Sequence, residues 1–152
     1  MSYSTCLAQV KSILEGVTNI GQVHDYVRWN KDWPDLKTLF KVTSPTTQLR
    51  FWDITRKSST EVTGATRTNE RTHTFRIRGF ITLDDSAATE KTFQNLVEDV
   101  ATAFRNKPTL NGYALNVEPL QINNIDHAMV GDCLCHMCES EISIQEEVQW
   151  ME

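Results

Sequence analysis

From His73 to Leu83 the chain alternates with period two, and just past Leu83 the period changes. Phe75, Ile77, Ile81 and Leu83 share one parity with Gly79, while Thr74, Arg76, Arg78 and Thr82 take the other. Successive side chains of a strand point to opposite faces, so this pattern predicts a half-buried antiparallel strand. After Asp84-Asp85-Ser86, the residues Phe93, Leu96, Val97, Val100 and Phe104 recur at three- and four-residue spacings, which is a helical stripe. Asp85 or Ser86 is expected to cap that helix, whose positive end favours nearby carboxylates. Asn106 and Pro108 are expected to end it. At about 1.5 Å per residue, roughly twenty residues span about 30 Å, enough to cover a sheet face.

The flanking segments extend the same architecture. Leu7, Val10, Leu14 and Val17 predict an amphipathic helix from Ser4 to Val17 with Ser4 as its cap, and Gly16 and Gly21 flank its end. Gln22 to Trp29 reads as a short strand, and Asp35 to Phe40 as a turn or two of helix. Leu49 to Arg56 reads as a strand with Trp52 and Ile54 on one face and Phe51 on the other. Residues 57–72 hold hardly an apolar side chain beyond Val62 and Ala65. A structureless stretch of that length is unusual in a compact domain, so it is read as a mobile loop or a long extended hairpin. Tyr113, Leu115 and Val117 alternate, and Pro119 marks an edge or strand start. Leu120 and Ile122 share one parity and Ile125, His127 and Met129 the other, a slip at Asn123-Asn124 that a bulge would produce. The last strand runs from Asp132 to about Val148. Leu134, Cys138, Ile142 and Ile144 lie on one face and Cys133, Cys135 and Met137 on the other, so its first half is expected to be covered on both sides. Helix, strands, long helix and strands lack regular βαβ alternation. The fold class expected is α+β: a mixed, mainly antiparallel sheet with one long helix packed on it plus an N-terminal helix, in one domain over 1–152.

Composition narrows the function. A chain of 152 residues can bury roughly 70% of its unfolded surface, so it needs neither metal nor disulfide to fold. The net charge of −5 argues against general nucleic-acid affinity, and any DNA contact has to be local. No apolar run approaches the roughly 18 residues of a membrane helix, and Met1 to Thr5 lack the basic and apolar pattern of a signal peptide, so none is expected. The expectation is a protein folded in a cytoplasm with its cysteines reduced.

One constellation invites metal or redox chemistry: Cys133-Leu134-Cys135-His136-Met137-Cys138. Thiols and imidazoles are zinc ligands, but zinc needs four of them around one point. In a strand, Cys133 and Cys135 face one way and His136 and Cys138 the other, so the four cannot converge. Cys135 and Cys138 also form C-x-x-C, yet a redox pair needs that motif at a helix N-terminus, where the dipole lowers the thiol pKa. Buried strand cysteines acting as small hydrophobes are the preferred reading. His24, His73, His127 and His136 stand on different elements and in no His-Glu-x-x-His motif, and no nucleophile elbow or phosphate-cradling glycine loop occurs. Asp84-Asp85 at a strand-to-helix junction is read as capping rather than as paired catalytic acids. No catalytic residue, cofactor or metal is expected.

What remains points to assembly. Trp29 and Trp33 lie in a polar stretch, where tryptophans are either core or interface anchors. Arg56, Lys57, Arg67 and Arg71 outnumber Glu61 and Glu70 around the polar segment, which is either a solvated loop or one that orders against a neighbour or faces DNA. The candidate assembly residues are therefore Trp29, Trp33, Arg56, Lys57, Arg67 and Arg71.

Val23-His24-Asp25-Tyr26 with Arg28-Trp29, then Trp52-Asp53-Ile54-Thr55-Arg56, resemble a family of small proteins from tailed-bacteriophage morphogenesis clusters. The resemblance continues through Arg71-Thr72-His73-Thr74-Phe75, Gly79, Leu83-Asp84-Asp85-Ser86-Ala87, Glu90-Lys91-Thr92-Phe93-Gln94, Leu96-Val97 and Leu134-Cys135-His136. It covers most of the chain in order and is weakest between Lys57 and Arg71. The family is identified with tail completion, the tail-terminator or neck proteins. The resemblance implies a structural, non-enzymatic subunit that forms a ring, commonly a hexamer, at the head-proximal end of the tail tube. Such a ring ends tube polymerisation and joins the tail to the head. Its partners would be itself, the tail tube protein and the head–tail connector proteins, with DNA only as cargo through the lumen and no membrane. Its place would be the virion, after assembly in the host cytoplasm. A head–tail adaptor or stopper is the nearest alternative. A small metal- or redox-active protein built on Cys133, Cys135, His136 and Cys138 is the alternative of another class.

Overall fold

A computed structural model of the chain describes residues 2–28, 41–42 and 48–150. In chain order the described elements are α1 (Tyr3–Glu15), β1 (Gln22–His24), β2 (Lys41–Val42), β3 (Gln48–Thr63), β4 (Thr68–Thr82), α2 (Thr89–Arg105), β5 (Asn116–Val117), β6 (Gln121–Val130) and β7 (Cys133–Gln149). Short 3-10 turns sit at Asp85–Ala87 and Leu110–Gly112. Trp29, Trp33 and the helical turn expected over Asp35 to Phe40 lie outside the described residues.

Three strands carry the architecture: β3, β4 and β7 have 16, 15 and 17 residues, about 50 Å each at ~3.3 Å per residue. They are the middle of a seven-stranded sheet ordered β1-β3-β4-β7-β5, with β2 beside β3 and β6 beside β7. Among the described strands only β1 with β3 is parallel; the other pairings are antiparallel. The class is α+β with a mixed, mainly antiparallel sheet. The polar segment 57–72 is the hairpin of the two forms expected, its arms being the far halves of β3 and β4. The bulge expected at Asn123-Asn124 is present as a register shift between Ile122 and Asn124.

The main core lies on one sheet face. Ile54, Phe75, Ile77, Ile81, Cys138, Ile142 and Ile144 join Val10 and Leu14 of α1 and Phe93, Leu96, Val97, Val100 and Phe104 of α2. Every residue of the expected α2 stripe is buried. Gly79 stands opposite Trp52 on β3, and a Cβ there would fall 2.5 Å from the indole. The missing side chain is what lets Trp52, 1% exposed, lie flat on the sheet beneath Phe93, their ring centroids 6.3 Å apart. A second, smaller cluster occupies the other face: Leu49, Phe51, Phe80 and Cys135, with Ala128, Val130, Cys133 and Met137 around them. Phe51 and Phe80 are register partners with ring centroids 4.7 Å apart.

Several boundaries differ from expectation, each for a local reason. Ser2, not Ser4, caps α1: its Oγ accepts from Thr5 N, and Thr5 Oγ1 accepts from Ser2 N in return, a reciprocal box. Asp84, not Asp85 or Ser86, does the capping before α2. Its Oδ1 accepts from Ser86 N and so starts the 3-10 turn, and α2 begins only after Ala88 has turned through φ 53. α2 is accordingly 17 residues, about 25 Å. Of the strand expected over Gln22 to Trp29, residues 22–28 are described, and among them Gln22–His24 form the strand, paired with Phe51 to Asp53 of β3. Tyr113 and Leu115 are exposed rather than in a strand. A turn with positive φ at Leu110, Asn111 and Gly112 occupies the preceding chain, and the strand proper is Asn116–Val117, with Leu115 N and Glu118 N donating to Gln145 O and Ser143 O of β7 on either side. Leu134 is 45% exposed, unlike Cys138, Ile142 and Ile144 on its parity, because it sits at the sheet margin opposite exposed Met129.

Candidate assembly surface

Where the apolar rows of β4 and β7 end, charged residues continue on the same face. On β4 the row runs Ile77, Phe75, His73, Arg71; on β7 it runs Ile142, Ile144, Glu146, and Arg71 stands opposite Glu146. Glu146 and His73 are fully buried, with His73 Nε2 2.8 Å from Glu146 Oε1. Arg71, partly exposed, donates from Nε at 2.8 Å and from its terminal nitrogen to the same oxygen. Cys6 Sγ of α1 reaches Glu146 Oε2 at 3.7 Å. Burial pushes the Glu146 carboxyl up, but hydrogen bonds from His73 and Arg71 and their charges outweigh it, and its pKa is lowered. Burial and the neighbouring Glu146 push the Cys6 thiol up to about 11, so it is no nucleophile at neutral pH. The cluster closes the core; a buried charge is tolerated only with partners of this kind.

Beyond this plug β3, β4 and β7 continue as a short arm, Val62–Thr63, Thr68–Glu70 and Glu147–Gln149. Arg56 to Thr63 are all exposed on β3. The tip turns through Thr66 and Arg67, both in the left-handed region, and Trp150 N donates to Arg67 O at 2.9 Å, which ties the end of β7 to the turn. The face of the sheet away from α2 is graded along the strands. Phe51, Phe80 and Met137 line up across three strands, then Asp53, Arg78 and Glu139, then Thr55, Arg76 and Glu141. Toward the tip come Ser58, Thr74 and Ser143, then Thr60, Thr72 and Gln145, then Val62, Glu70 and Glu147. Arg78 binds Asp53 through two parallel hydrogen bonds, 3.0 and 2.6 Å, the stronger geometry for such a pair. A groove of about 610 Å³ lies over this face, floored by Phe51, Phe80 and Met137 and edged by Arg28, Arg76 and Glu139.

Among the expected interface residues, Arg56 and Lys57 lie on β3 before the level of the plug, Arg71 is part of it, and Arg67 lies at the hairpin tip. Their roles divide. Arg56 lies over the Tyr3 ring, 4.3 Å from its centroid, and Arg71 serves the buried Glu146. Lys57 pairs with Glu141 at 2.6 Å in the open, a contact worth about 0–1 kcal/mol. Arg67 sits exposed at the tip. Sequence reasoning missed Glu146 and His73 as a pair, although both stand on the apolar parity of their strands, and that was the available signal.

The cysteine segment divides across the sheet. Cys135 is in the outer cluster and Cys138 in the main core. His136 Nε2 is 2.8 Å from Thr89 Oγ1 at the start of α2, which also accepts from Asp84 N at 2.9 Å. Burial and the charge of His127 lower the His136 pKa. Among the described residues no three His, Cys, Asp or Glu side chains are grouped to hold a metal ion, and no helix is long and apolar enough to cross a membrane. No protein-family model and no curated protein matches the chain.

Proposed function

We propose that this chain is a structural, non-enzymatic subunit of a tailed-phage neck, forming a ring at the head-proximal end of the tail tube that ends polymerisation and joins tail to head. The observation that carries the reading is the arm. From Ser58 to Thr63 β3 runs about 20 Å along the sheet margin with every side chain exposed, and its last two residues, Val62 and Thr63, stand past the level of the buried Glu146. Ordered, paired and polar, such an extension adds little to the stability of its own chain and suits contact with a neighbour. The chain's size and its long helix, whose apolar stripe is buried, are in keeping with the looser resemblance to tail terminators, which have one long helix packed on a sheet. The outer face supports passage of DNA as cargo: Lys57, Arg76 and Arg78 stand among Asp53, Glu70, Glu139, Glu141 and Glu147, an acidic balance that offers no hold on phosphates.

The test is mass determination by light scattering at rising concentration, then electron microscopy of tail tubes grown with and without the protein. A defined oligomer that caps tubes at uniform length is expected. A protein that stays monomeric and leaves tube length unchanged would count decisively against the reading. A head–tail adaptor would form the ring and bind the portal side while leaving tubes uncapped.

A further inference from the structure

His127 of β6 and His136 of β7 are register partners, with ring centroids 5.4 Å apart. Directly opposite residues of neighbouring strands hold their Cβ atoms about 5 Å apart and send their side chains to one face. Here that face carries α2. Both imidazoles line a cavity of about 210 Å³ at the start of the helix, together with Asp85 and Glu90. His136 is 5% exposed, and its ring stacks against Phe93. Its tautomer follows from Thr89. That hydroxyl accepts from Asp84 N at 2.9 Å and donates its one proton to Asp84 O at 3.1 Å. The 2.8 Å contact with His136 Nε2 is therefore filled by the imidazole N–H, and His136 Nδ1 keeps its lone pair.

We infer that His127 and His136, closed by Glu90, bind a divalent transition-metal ion of the zinc class. Two imidazoles sharing an ion about 2 Å from each donor nitrogen have ring centroids roughly 5 Å apart, the spacing this pair already has. A ligating histidine donates its other N–H to a fixed acceptor, which sets the ring and makes the free nitrogen more basic. The Thr89 hydroxyl is that acceptor for His136. Among the described residues no third ligand already stands in place beside the two rings. Glu90 supplies it by a change of rotamer. It is exposed in the first turn of α2, lines the same cavity, and is the carboxylate whose charge acts on His136. Two nitrogens and a carboxylate oxygen, with water in the fourth position, suit zinc, nickel or copper. Calcium and magnesium want oxygen ligands throughout. The cysteines take no part: Cys135 lies in the cluster on the other face and Cys138 is sealed in the main core. The ion would tie β6 and β7 to the start of α2, whatever assembly the chain enters.

The test is calorimetric titration of chelator-treated protein with zinc, with the reactive thiols counted in parallel. One equivalent is expected to bind, and Tm should rise with zinc concentration. His127→Gln, a change at an exposed position, should abolish both effects while leaving the metal-free Tm unchanged. Glu90→Gln should bind zinc at least about tenfold more weakly. Binding that survives His127→Gln, or that protects thiols, would place the ion elsewhere and overturn the site. An equal response to magnesium would reveal diffuse attraction to carboxylates and overturn it as well. So would a chain that takes up no zinc at millimolar concentration. Unchanged affinity in Glu90→Gln would overturn the closure of the site by α2.

Discussion

His73 Nε2 and Glu146 Oε1 lie 2.8 Å apart with neither side chain exposed, at the point where the core ends and the arm begins. A carboxylate can only accept, so the imidazole donates from Nε2. Because the folded pKa of Glu146 is lowered from the ordinary 4.5, its stabilising contribution is fully present above about pH 4.5 and is lost as pH falls through the lower folded value. Removing one partner of a buried pair costs about 3 kcal/mol or more. Glu146→Gln is therefore expected to lose about 3 kcal/mol at pH 7 by urea denaturation, with a shallower decline of stability between pH 5 and pH 3. An unchanged acid limb would remove Glu146 as the titrating group.

Gly79 and Trp52 make a sharper steric claim. The indole rests on the bare backbone of Gly79 and is wedged beneath Phe93, so it has no room to retreat from a Cβ at 2.5 Å. Gly79→Ala is expected to destabilise by about 1–3 kcal/mol, the usual range for an overpacked core. At this chain length that lowers Tm by roughly 2–4 °C per kcal/mol. Trp52 fluorescence should report the shift of the ring. A variant as stable as the parent would mean the indole moves aside freely.

The contrast between what sequence reveals and what it hides follows the range of each interaction. Period two gave the faces of β4, and period 3.6 gave the α2 stripe from Phe93 to Phe104, because both patterns arise within one element. The split of Cys135 from Cys138 followed from parity alone. Phe80 shares its parity with Arg76 and Arg78, and only the neighbouring strands show that Phe51 and Met137 stand beside it. Arg71 and Glu146 are 75 residues apart, and their pairing depends on the β4–β7 register. Boundaries failed where a cap lies one or two residues from another good cap, as at Asp84 and Ser2. Trp29 and Trp33, read from their polar surroundings as either core residues or interface anchors, lie outside the described residues.

The hairpin tip carries correctable strain. Thr66 has φ 51 and Arg67 φ 60, a left-handed pair in side chains that disfavour it. Asparagine and glycine accept such angles, and Asn-Gly is the preferred sequence where consecutive turn residues need positive φ. Replacing Thr66→Asn with Arg67→Gly is expected to add about 1 kcal/mol, roughly 2–4 °C in Tm. The Arg67 carbonyl still receives Trp150 N in that variant. No gain in Tm would mean the two angles are cost-free in this turn.

The four cysteines should titrate as three closed sites and one open one. Cys6, Cys135 and Cys138 are buried, whereas Cys133 is half-buried at the sheet margin. Burial, then the nearby Glu146, raises Cys6 to about 11; burial, then Cys133, raises Cys135 to about 12; burial, then Glu139, raises Cys138 to about 12. The thiolate is the reactive form, so at pH 8 these three are protonated as well as shielded. With a chromogenic disulfide reagent, one equivalent is expected to react readily and the other three only on unfolding. Added zinc should leave that count unchanged, since Cys135 and Cys138 sit in clusters on opposite faces of the sheet. Protection of several thiols by one equivalent of zinc would restore the metal-binding alternative at the expense of the structural one.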